Sequence, residues 1–121
     1  MSREQHIGII LTYDIQSQKS FLSASEMIPI INQNCDKKVN RVFVGLKCDL
    51  RHNRAVLQED AQEFAGKHKM KYMEASALTG ENVEDVFYSL AEDIKRRQEQ
   101  EMEIKSRDRA NKAKTKPRLN R

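Results

Sequence analysis

Two short segments of the chain hold its most chemically capable side chains. Val44-Gly45-Leu46-Lys47-Cys48-Asp49-Leu50 sets a cation and a carboxylate two positions apart. Glu74-Ala75-Ser76-Ala77-Leu78-Thr79-Gly80-Glu81-Asn82-Val83 offers a serine hydroxyl among small residues. Bond-breaking chemistry is not indicated, because Ser76 has no evident His/Asp constellation to activate it. His6, His52 and His68 show no ligand spacing, and Cys35 and Cys48 fit neither a zinc site nor a disulfide framework. They read as reduced thiols. No Gly-x-x-x-x-Gly-Lys-Ser/Thr phosphate loop occurs in the 121 residues.

The elements around these segments explain why they matter. Ile7 to Tyr13 is short, rich in β-branched residues and without alternation, the pattern of a strand buried on both faces. Arg41 to Leu46 reads the same way, and Lys71 to Ala75 reads as a third strand. Between them, Ser17 or Ser20 can cap a helix reaching about Asn34, in which Phe21, Met27, Ile28 and Ile31 are apolar. Pro29 should kink it or stop it early, since proline removes a donor and clashes with the preceding turn. Gln58 to His68 reads as a second helix through Ala61, Phe64 and Ala65. A last helix is marked by Asn82 and Asp85 as a capping-box-like start and by a stripe of Val83, Val86, Phe87, Leu90 and Ile94. Met27, Met70 and Met73 read as core filler. Strand-helix alternation implies a parallel sheet with right-handed crossovers, and both segments follow strands, where such sheets bind ligands.

Charge divides the chain. Residues 1–94 carry 11 Lys/Arg against 14 Asp/Glu, and residues 95–121 carry 11 against 4. Beyond Asp93 the periodicity fades into good helix formers, so a solvated helical projection to about Arg109 is expected, followed by a disordered basic end from Asn111. A folded region at 6–97 and a tail at 98–121 result. No run reaches the roughly 18 apolar residues of a spanning helix, and the N-terminus lacks signal-peptide shape, so the expected location is cytoplasmic. The basic tail can meet an acidic surface, anionic lipid or nucleic acid, with a strength that salt weakens.

In order along the chain, Gly8 to Ile15, Ser20-Phe21, Val44 to Leu50, Arg54-Ala55-Val56, Tyr72 to Ala77, Thr79 to Val83 and Phe87 resemble the landmarks of Rab-like small GTPases of the Ras superfamily. The resemblance runs from about His6 to Arg97 and corresponds to the second half of the G domain, from its fourth strand onward. It implies an α/β fold: a partial G domain of the phosphate-loop NTPase type, with a three-stranded parallel sheet, flanking helices and a basic tail.

The resemblance also implies roles. Asp49 stands where the family aspartate accepts from two ring-edge donors of guanine, and Lys47 where the family lysine lays its stem along the base. Ser76 and Ala77 stand where a backbone N–H donates to the guanine carbonyl. Two positions depart from the pattern: Leu46 replaces the family asparagine, and Leu78 replaces the expected lysine. Leu57 stands where a helix cap is usual. The phosphate loop, the magnesium ligands and the switch segments of the family precede the matching region, so the Mg²⁺ site is absent from this reading. The expectation is a truncated Rab-like module that binds GTP or GDP weakly, does not hydrolyse it, and whose family role is vesicle traffic. The alternatives are a non-enzymatic interaction protein using its last helices and tail, and a partial gene product. The first strand would lie at an open apolar edge, inviting a protein partner or self-association. No cysteine follows Cys48, so prenyl anchoring is not expected.

Overall fold

The computed structural model describes residues 8–115. Three strands, β1 (Gly8–Asp14), β2 (Asn40–Leu46) and β3 (Lys71–Ala75), form a parallel sheet in the order β1-β2-β3. Ile10 faces Val42 across the first pair, and Val44 faces Met73 across the second. Helices α1 (Gln18–Asn34) and α2 (Gln58–Lys67) make the crossovers. Because both crossovers step in the same direction and share one hand, α1 and α2 fall on the same face.

Alternation along β1 assigns its faces. Leu11 and Tyr13 point toward α1 and α2 and join Phe43, Ile28, Ile31, Val56, Ala61 and Ala65 in the larger core cluster. The other face carries Val42, Val44 and Ala75, covered by Val86 of α3 (Val83–Thr115). Gly8 eases the approach of α3 to the sheet: a Cβ there would lie 2.7 Å from Ile94 Cδ1, which would have to move aside.

The helix starts show which residues settle the local structure. Ser17 is the cap of α1, its Oγ accepting from Ser20 N at 3.0 Å, while Ser20 Oγ accepts from Asp14 N at 2.9 Å. The first serine caps and the second ties the helix to β1. Pro29 does not stop α1, which runs on to Asn34. Ala24 and Ile28 before the proline and Ile31 after it are buried against the sheet, and this anchoring outweighs one lost backbone bond. Leu57, at the start of α2, makes no side-chain cap bond.

Several expectations require correction. Asn82 does not begin α3 as a capping residue of ordinary backbone: its φ is 61°, and its Nδ2 donates to Glu74 O at 2.9 Å. The amide closes the loop instead of the helix. Phe87 is 60 % exposed, because the stripe that reaches the sheet is Val83, Val86 and Leu90. Phe87 lies about 100° further round than Val86 and falls on a shoulder that three strands are too few to cover. Met27 is exposed rather than core, while Met70 is buried. Met27 flanks a groove beside β1, one of the two edge strands. Finally, α3 continues to Thr115, past the expected end at Arg109 and into the segment expected to be disordered. Glu103 and Arg107, at i,i+4, approach to 3.7 Å in this stretch, the kind of pair that supports a solvated helix. The rest of that expected basic end, from residue 116 on, lies outside the described residues.

Candidate functional site

All three strands end on the same side, and the chain turns there into three loops. After β1, Asp14 accepts from Gln16 N through Oδ1 at 2.8 Å and receives Lys47 Nζ on Oδ2 at 2.8 Å. The ammonium beside it holds the Asp14 carboxyl below the usual carboxylate range. Lys47 itself is left-handed, with φ 66°, a conformation that costs a non-glycine residue energy and that turns the chain sharply into the 3₁₀ segment Cys48–Asn53.

The second and third loops meet directly. Ser76 is fully buried, and its Oγ donates to Asp49 Oδ1 at 2.6 Å. The same Oγ accepts from Thr79 N at 3.2 Å, while Ser76 N donates to Glu81 O at 3.0 Å and Gly80 N to Ser76 O at 2.8 Å. Gly80, with φ 82°, permits the tight turn. Arg51 and Glu81 add an exposed pair at 2.9 Å between the same two loops. Lys47, Asp49, Ser76 and Ala77 therefore stand on adjoining loops, with Asp49 and Ser76 in contact.

The remaining site positions behave differently. Leu46 turns into the core cluster beneath α3, packed with Val42, Val44 and Ala75, and offers no polar group to the loops. Leu78 is 85 % exposed and lies away from any core. Cys48 is buried, which pushes its thiol up, so it behaves as a packing residue.

A polar ladder behind the loops was not evident in the sequence. Arg54 donates to both oxygens of Glu74 at 2.8 Å, in the forked geometry that suits a guanidinium and a carboxylate. Tyr72 OH donates to Glu74 Oε2 at 2.5 Å. With that proton committed, the 2.6 Å bond between Tyr13 and Tyr72 is one that Tyr13 donates. Burial would lift the Glu74 carboxyl, yet Arg54 and Tyr72 hold it below its ordinary value. Burial, aided by Glu74 and Tyr13, drives the Tyr72 hydroxyl far upward. Gly45 makes room for this ladder, since a Cβ there would lie 2.9 Å from both tyrosine oxygens. Arg54 and Glu74 are detectable in the sequence only as opposite charges beside each loop; their pairing depends on β2 and β3 being neighbours.

The arrangement ties the second and third loops together at Asp49. Asp49 has its Oδ1 held by Ser76, and the loop that places it is fixed from two sides. No comparable set appears for a metal: among the described residues, no three His, Cys, Asp or Glu side chains gather as ligands.

A three-stranded parallel sheet flanked by helices, whose strand ends carry a Lys-x-Asp loop against a Ser-Ala loop, is the architecture of a partial Ras-like G domain. The comparisons agree: a profile of the Ras family matches residues 1–96, so the chain belongs to that family, on its Rab-like branch. It is 41 % identical over 88 residues to Ras-related protein Rab-13 of Mesocricetus auratus, covering 73 % of this chain and 43 % of that protein. Identity to GTP-binding protein YPT1 of Saccharomyces cerevisiae is also 41 % over 88 residues, with the same coverage. Ras-related protein Rab-10 of Diplobatis ommata is 36 % identical over 105 residues, 87 % of this chain and 50 % of that protein. The chain thus spans about half the length, or slightly less, of these curated relatives.

Proposed function

We infer that these residues form the guanine-recognition half of a Rab-like small GTPase, a family role of GTP binding in vesicle traffic, and that they bind guanine nucleotide weakly without hydrolysing GTP. The observation that carries this reading is the 2.6 Å bond from Ser76 to Asp49, which aims one loop at the other before any ligand arrives. Asp49 would take the paired donors of the base, Lys47 would lie along its face after leaving Asp14, and the Ala77 backbone would meet the carbonyl. Leu46 adds no hydrogen bond, and Leu78 only apolar bulk. A few base contacts at roughly 1–2 kcal/mol each give about 4 kcal/mol, near millimolar affinity. Hydrolysis depends on phosphate positioning and charge stabilisation, for which the 121 residues hold no phosphate loop.

Titrating the chain with GDP, GTP and ADP tests this. The expected result is weak, guanine-selective binding with shifts at Asp49, Ser76 and Ala77; affinity tighter than about 10 µM, or equal response to ADP, would overturn it.

A second reading is favoured by one feature, the exposed shaft of α3 from Gln98 to Ala113, where only Glu101 is partly covered. This shaft would serve a non-enzymatic interaction role, engaging a partner or an acidic surface through Lys105, Arg109 and Lys112. Self-association through β1, which pairs with β2 alone, belongs to the same reading. Loss of partner capture on removing the shaft, with nucleotide binding retained, would favour it over the first.

A further inference from the structure

The opposite end of the sheet, where β2 and β3 begin and α1 and α2 finish, carries a second polar recess. It encloses about 340 Å³ over the buried Val39. Lys37, Arg41, Lys67, His68 and Lys69 line it, with Asn32, and no carboxylate does. Four cations around one cavity repel one another, and among the described residues none of the four pairs with an Asp or Glu. The C-terminal end of α2 accounts for Lys67 and Lys69 as favourable cations at a helix terminus. It does not account for Arg41. That side chain is half-buried at the start of β2, its Nη1 donates to Asn32 Oδ1 at 2.9 Å, and its Nε is buried without a partner. The bond to Asn32 fixes the guanidinium at the recess wall with Nε sealed inside it, so a ligand would meet Arg41 through its terminal nitrogens. His68 is held in place by its ring contact with Phe64, centroids 4.7 Å apart.

We propose that this recess binds a small soluble compound bearing at least two phosphate groups, with Arg41 as the inner anchor and Lys37, Lys67 and Lys69 as the outer charges. The volume lies within the roughly 300–1,000 Å³ of small-molecule sites, more than a single phosphate fills, and guanidinium and ammonium groups are the usual phosphate partners. The site lies at the end of the sheet away from Asp49 and Ser76, and stands or falls separately from guanine recognition.

The test is a titration of the full chain with inorganic pyrophosphate at about 0.15 M salt, followed by amide shifts. Saturable shifts centred on Arg41, Lys67, His68 and Lys69 are expected, with Asp49, Ser76 and Ala77 unmoved. Arg41→Gln should weaken binding at least tenfold and the double variant Lys67→Gln/Lys69→Gln several-fold. Lys105→Gln on the α3 shaft should stay within twofold of the parent chain. Should Arg41→Gln fail to fold, the exposed double variant carries the same test. Shifts spread along α3, or unchanged affinity in the double variant, would overturn the site. Sedimentation with phosphatidylcholine vesicles containing phosphatidylinositol 4-phosphate separates a soluble ligand from a lipid headgroup. No capture above plain vesicles is expected, and capture that the double variant abolishes would overturn the soluble assignment.

Discussion

Asp49 and Ser76 join two loops because a buried hydroxyl holds a carboxylate by one oxygen, the geometry on which the proposed base recognition rests. The two leucines nearby are not equivalent. Leu46 is packed into the core, so replacing it disturbs more than the site, whereas Leu78 is exposed. Leu78→Lys should therefore raise GDP affinity a few-fold with no change in unfolding midpoint, read by titration and urea denaturation together. Behind them, Glu74→Gln keeps the shape of the ladder but removes the charge that Arg54 grips. Arg54 and Glu74 are only 15 % and 13 % exposed, so a loss of about 1–3 kcal/mol in urea unfolding is expected. The same ladder sets the pH response. Glu74 and Asp14 have folded-state values below their ordinary ones, so their contribution is present above the unfolded carboxylate pKa of about 4 and disappears as pH falls through the lowered values. Tyr13 and Tyr72 are raised, so theirs is present below about pH 10 and fades as pH rises past it. Unfolding midpoints should decline on both sides of a neutral plateau, and a midpoint that does not fall between pH 6 and 3 would contradict the assigned ladder.

At the scale of elements, the strands were the easiest to read and the caps the hardest. A β-branched run such as that of β2 marks a strand buried on both faces whatever its neighbours, and both β2 and β3 lie within a residue of their expected bounds although β3 holds no β-branched residue. Asn82 was misread because a side chain that can cap a helix can equally satisfy Glu74 O, and only the fold decides which carbonyl or amide is near. Phe87 was misread because periodicity assigns a face without saying how wide the covering sheet is. The loops of the site were legible by resemblance, but Asp14 with Lys47, and Arg54 with Glu74, needed the strand order. Leu57→Ser tests the one clear defect: the leucine is 60 % exposed and caps nothing, so a serine should stabilise α2 by about 1 kcal/mol, visible as a higher thermal midpoint. At Gly45, alanine should cost about 1–3 kcal/mol, since its methyl would lie 2.9 Å from Ile15 Cγ2 and from both tyrosine oxygens.

The molecule as a whole has a loop cluster at one end of a small sheet, a basic recess at the other, and free edges at β3 and, more apolar, at β1. The latter edge has a stability consequence: β1 has one hydrogen-bonded neighbour, so its outer backbone groups face solvent or another chain. Thr12 is exposed on that strand, and Thr12→Lys should lower any self-association seen in sedimentation velocity without altering the fold, as a charge placed on a sheet edge discourages pairing.

The 33 residues of α3 make a rod of about 50 Å, against a body about 25–30 Å across. Its far half is exposed almost throughout, so the described residues form a ball with a handle rather than a sphere. Such a shape drags unequally about its axes. Amide vectors along the rod and those across it will relax at different rates, and the apparent mass from sedimentation will fall below that from gel filtration even for a strict monomer.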